Sequence, residues 1–179
     1  MKLFLLYCGL LTMGTCWRYH PVEPPERKVW GNRPVYAAEN KAREISYIAG
    51  KQPIVQAGNI YAIGPYIFQV DVGRGIHVID NRVPAQADRV GFIRVYGCAQ
   101  VAIRGNHLYT NSLSDLVTLD LSDPARLKEV SRVANAFPSF RYNYPLVQPE
   151  ERGYFACPRY DSIVVGWVKD SVYASCYKN

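Results

Sequence analysis

The chain has no apolar run long enough to cross a bilayer, no block of like charge, and only three histidines among its 179 residues. Each shortage removes a class of function. The longest apolar stretch, Leu3 to Met13, falls well short of the roughly 20 residues that a spanning helix needs. An embedded helix is therefore not expected. The formal net charge of +6 is gathered nowhere: eight Arg and Lys face seven acids between Pro53 and Asn135, and five face four from Ala136 to Asn179. Single cations set among acids are solvated surface, so no nucleic-acid partner is expected. His20, His77 and His107 lie far apart in sequence, and a metal needs convergent ligands, so no metal site is assigned.

Catalytic motifs are also missing. No G-x-S-x-G elbow, P-loop, H-E-x-x-H or C-x-x-C occurs, and Gly73-Arg74-Gly75 lacks the third glycine and following helix of a dinucleotide fingerprint. Asp71, Asp80, Asp88, Asp115 and Asp120 offer no separable acid and base pair. Asp120, Ser122 and Asp123 crowd the approach to Pro124 and read as turn formers, since a calcium loop would add a glycine and a downstream glutamate. The chain is expected to be no enzyme, with no catalytic residue and no cofactor.

What is present begins at the N-terminus. In MKLFLLYCGLLTMGTC, one cation precedes an apolar run and then small residues before Cys16, the order of a secretory signal. Cys16 resembles the acylated cysteine of a bacterial lipobox, which makes residues 1–15 a lipoprotein signal peptide and Cys16 the lipidation site. The chain is then tethered to a membrane by its lipid and not embedded in it. From 16 to 52, prolines at 21, 24, 25 and 34 favour extended, solvated chain, with a helical turn or two over Ala37–Ile48. That stretch reads as a tether. Cys98, Cys157 and Cys176 permit one disulfide outside the cytoplasm, and Cys157 with Cys176 is the expected pair. Cys98 sits in a strand-like run and reads as a small buried apolar side chain.

The centre of the chain repeats itself. Gly64–Val90 lies over Gly105–Val130 with Gly64 on Gly105, Phe68 on Tyr109, Asp80 on Asp120 and Pro84 on Pro124. A period near 40 residues with four strand-like runs per unit is the pattern of propeller blades. The strands of the first unit are expected at Asn59–Ile63, Tyr66–Val72, Gly75–Asp80 and Arg89–Val95. Those of the second are expected at Ala99–Arg104, His107–Asn111, Leu116–Leu121 and Lys128–Val133. The fold class is thus all-β: two four-stranded antiparallel β-propeller-like blades over 53–135, an incomplete propeller, with the extended tether before them. An irregular aromatic and Pro-rich tail, 136–179, packs on the blades and adds a strand near Ser162–Val168.

Gly75–Asn81 (GIHVIDN) and Asp115–Pro124 (DLVTLDLSDP) resemble the LVIVD repeat. With Cys16, an RPVY segment at Arg33–Tyr36, NAFP at Asn135–Pro138 and VVGW at Val164–Trp167, the chain is similar to LVIVD-repeat lipoproteins of the Bacteroidetes kind. That resemblance implies a propeller-like protein of the cell envelope. Trp17 and Arg18 follow Cys16 in place of an acidic cluster, which favours the periplasmic face of the outer membrane. The expected function is a non-enzymatic binding or assembly module with a protein or glycan partner. Two blades cannot close a ring of four to eight, so self-association through open blade edges is expected too. The alternatives are a propeller-type lyase or hydrolase with a loop active site, and a truncated remnant of a longer lipoprotein.

Overall fold

The computed structural model describes residues 27–140 and 147–178. Cys16, its signal segment, Tyr142 and Tyr144 lie outside the described residues. Within them, strands and a single four-residue helix make an all-β fold of three sheets, none closed into a barrel.

The first unit consists of β3 (Ala57–Ile63), β4 (Tyr66–Asp71), β5 (Gly75–Asp80) and β6 (Asp88–Arg94), and the second of β7 (Val101–Arg104), β8 (His107–Ser112), β9 (Asp115–Asp120) and β10 (Lys128–Val133). All pairings within them are antiparallel neighbours in chain order. Alternation sends every second side chain to one face. Phe68, Val70, Ile76, Val78 and Ile93 of the first unit thereby meet Val101, Ile103, Leu108 and Leu119 of the second in one buried cluster. Each such side chain contributes about 1.5–3 kcal/mol on burial. The shared core is what holds the two units together.

The backbone bonds of the two units also match at offsets of 40 or 41. The Val72 amide donates to the Gln56 carbonyl as Leu113 does to Tyr96, and Gly97 donates to Gly73 as Phe137 does to Ser114. Asp80 accepts from the Arg82 amide and Asp120 from the Ser122 amide, each two residues on.

Three features depart from the sequence expectation. The first sheet has five strands and not four, because β2 (Ser46–Ala49) adds to the outer edge of β6. Gly91 leaves room there for the Tyr47 ring, whose hydroxyl donates to the Val90 carbonyl. The stretch expected as a tether is, over its described part, built into the fold. It holds β1 (Val29–Ala37), the helical turn α1 (Glu39–Ala42) and β2.

The tail is likewise not irregular. It supplies β11 (Gly153–Phe155), β12 (Ile163–Val172) and β13 (Cys176–Lys178), which join β1 in a third sheet of order β12-β1-β11-β13. β1 runs antiparallel to β12 and parallel to β11, so this sheet mixes both pairings. Pro34 is compatible with a strand here because β11 reaches only as far as Asn32, leaving β1 an edge on that side where no donor is missed. The tail's rings pack within this sheet, Phe155 on Trp167 and Tyr154 on Tyr177, or stand exposed as Tyr160 and Tyr173 do. Two further rings of the tail, Phe137 and Phe140, lie against the second unit, where the Phe137 amide donates to the Ser114 carbonyl. There Tyr109 and Leu116 border a hollow of about 240 Å³ with Phe137 and Phe140.

Candidate functional site

A cleft of about 320 Å³ between the third sheet and the first unit is lined by three segments remote in sequence. Register places its floor. Asn32 on β1 lies opposite Lys169 on β12 and Phe155 on β11, and Pro34 lies opposite Trp167. Side chains two apart share a face, so Asn32, Trp167 and Lys169 stand together, with the Phe155 ring set edge-on to Trp167 at 5.4 Å. The opposing wall is Gly73, Arg74 and Tyr96 of the first unit, and the side wall is Val147–Glu151.

Ion pairs strap this side wall in place. Arg74 donates to Glu150 at 3.0 Å and Lys169 to Glu151, while the Lys178 ammonium donates to the Pro149 carbonyl. A disulfide joins Cys157, just beyond β11, to Cys176 at the start of β13, with Cα atoms 5.1 Å apart. It braces the edge of the sheet that forms the floor. The Trp167 indole nitrogen is buried and has no hydrogen-bond partner among the described residues.

A smaller cavity of about 120 Å³ shares Arg74, Tyr96 and Val165 with the cleft and adds Asp71, Phe92 and Arg94. Asp71 is buried and accepts the Gln56 amide at 2.7 Å and the Val55 amide at 3.2 Å, which fixes the entry to β3. Burial pushes its carboxyl up, but the facing His77 ring, these two amides and Arg74 outweigh that and hold it below the usual carboxylate value. His77 is buried in β5, its Nε2 stands 3.6 Å from Asp71, and neither ring nitrogen has a hydrogen-bond partner among the described residues. The ring packs on Phe92 at 4.8 Å.

The other carboxylates singled out in the sequence do not converge. Asp80 pairs with Arg82 and Asp88 with Lys51. Asp115 is fully buried and receives Arg132 at 3.0 Å, Arg43 at 3.4 Å and the Asn135 amide at 3.0 Å. Asp120 takes bonds from the Ser122 amide and hydroxyl and from Asn106, and so builds a turn. Among the described residues no three His, Cys, Asp or Glu side chains are grouped to hold a metal. Cys98 is buried and free, its thiol pushed up to about 12 by burial.

The cleft residues Asn32, Lys169, Glu150 and Glu151 were not singled out as a site in the sequence. The signal that bears on them is the pair of motifs RPVY and VVGW, which the structure sets opposite each other in the β1–β12 ladder. The chain matches no protein-family model, no curated protein and no solved structure.

Proposed function

We propose that this chain is a lipid-anchored protein of the cell envelope, related to the LVIVD-repeat lipoproteins, that acts as a non-enzymatic binding module. Its two central units stand as propeller-like blades, and Cys16 carries the acyl chains that hold it at the periplasmic face of the outer membrane. The observation that supports a binding role is the cleft itself. Three segments remote in sequence meet there, and ion pairs and a disulfide hold its walls. Walls fixed in advance reduce the entropy lost when a ligand is captured.

Gly166 offers a means of testing this, because a side chain added there meets nothing within 4 Å while the residue lines the cleft. The thermal melt of the full chain in detergent should rise when a mixed envelope extract is added, and Gly166→Leu should abolish the rise. A melt unmoved by the extract, or moved equally in Gly166→Leu, refutes binding at the cleft. Labelling cells with a palmitate analogue tests the address, since label retained by Cys16→Ser contradicts the anchor.

A further inference from the structure

The cleft is electrically neutral in a chain whose formal net charge is +6. Its two cations, Arg74 and Lys169, are each matched by a carboxylate, Glu150 and Glu151. Around these pairs stand Val147, Val165 and the Trp167 ring, with the amides of Asn32 and Gln148 among the lining groups. From this composition we infer that the ligand is a neutral saccharide. The inference rests on the binding reading above and adds the chemical class.

Three physical points select that class. A hydroxyl is both donor and acceptor, so it can bond a carboxylate and its paired cation together without breaking the pair. An anionic ligand would have to displace a glutamate from each cation it used, and would meet the repulsion of the carboxylate released. The C–H faces of a pyranose are apolar and fit an aromatic and aliphatic floor. A peptide fits less well. Peptides commonly bind by extending a sheet edge, and this cleft is floored by the face of the third sheet. The volume of about 320 Å³ lies at the lower end of the range for small-ligand sites, roughly 300–1,000 Å³, so one or two sugar rings are accommodated.

Trp167 serves as the reporter. The full chain in detergent, carrying Trp17→Phe and Trp30→Phe so that Trp167 is the one indole left, is titrated separately with cellobiose, mannobiose, chitobiose, digalacturonate and trialanine. At least one neutral disaccharide should change the emission saturably, with little dependence on salt, and Gly166→Leu should weaken that affinity by about tenfold or more. A saturable response to digalacturonate or trialanine alone overturns the saccharide class and leaves cleft binding standing. Silence towards every probe, or an unchanged affinity in Gly166→Leu, overturns the inference together with the binding reading.

Discussion

Pro34 lies directly across the β1–β12 ladder from Trp167, so the two ends of the described chain are neighbours in one sheet. That pairing creates the floor of the cleft. It also ties both ends to the first unit, since Arg74 reaches Glu150 across the gap.

The tightness of the third sheet is tested by two glycines on its two paired strands. A Cβ on Gly31 would sit 2.8 Å from the Tyr154 carbonyl oxygen, whereas one on Gly166 meets open space. Gly31→Ala should therefore lower stability by about 1–3 kcal/mol as overpacking does. Gly166→Ala should be neutral or stabilising by about 0.4–1 kcal/mol through the unfolded chain. Urea melts of the two variants check the contrast, and equal effects contradict it.

The two central units are joined by an amide as well as by the core. Asn59 donates to the Val101 carbonyl at 3.1 Å and accepts from the Val101 amide at 3.3 Å, taking the place of a ladder partner. Asn59→Ala leaves both Val101 groups without it and should cost about 1–3 kcal/mol. The carboxyl of Asn59→Asp accepts from the Val101 amide but can donate to the Val101 carbonyl only when protonated, so this variant should cost less near pH 4 than at pH 7, where its charge faces that carbonyl. Paired denaturation curves at both pH values measure this.

Asp115 predicts an acid limb. Burial pushes its carboxyl up, and the Asn135 amide with Arg132 and Arg43 outweighs this and holds it low. A folded-state value below the unfolded one means that its stabilisation is complete above the ordinary carboxylate range, about 4, and is lost as pH falls through the lower folded value. Asp115→Ala leaves the Asn135 amide without its acceptor and leaves Arg132 and Arg43 paired to Glu129 and Glu39, and should cost about 1–3 kcal/mol at pH 7. Its melting temperature should then fall less steeply with acid than that of the wild type. A parallel acid limb in both proteins would count against the assignment.

Cys98 is predicted to be inert while the chain is folded. Its thiol lies 3.1 Å from the Thr110 hydroxyl, is fully buried, and is pushed up to about 12, so little thiolate forms at neutral pH. Alkylation at Cys98, followed by peptide mass, should proceed only in denaturant. Reduction of Cys157–Cys176 should remove about 3 kcal/mol, as expected for a loop of this order, and the loss should appear first in the third sheet.

The strands of the two units were readable from sequence because their causes are local. Alternating apolar residues bounded by Gly64-Pro65 and Gly105-Asn106 specify hairpins without reference to anything far away, and β5 and β10 have the bounds expected. The third sheet was not readable in the same way. Its strands come from opposite ends of the chain, and the prolines near β1 argue for solvated extension unless one knows that β11 ends at Asn32. The cleft shares that blindness: RPVY and VVGW are visible as motifs, but their juxtaposition is a tertiary fact.

The functional account requires β1 to be an integral strand of the third sheet, and amide hydrogen exchange of the full chain tests that most directly. The account predicts that amides 31–36 of β1 exchange slowly and together with those of β12, and that both become faster when Cys157–Cys176 is reduced. Exchange of β1 at the rate of unstructured chain, while β4, β5, β8 and β9 remain protected, would contradict it.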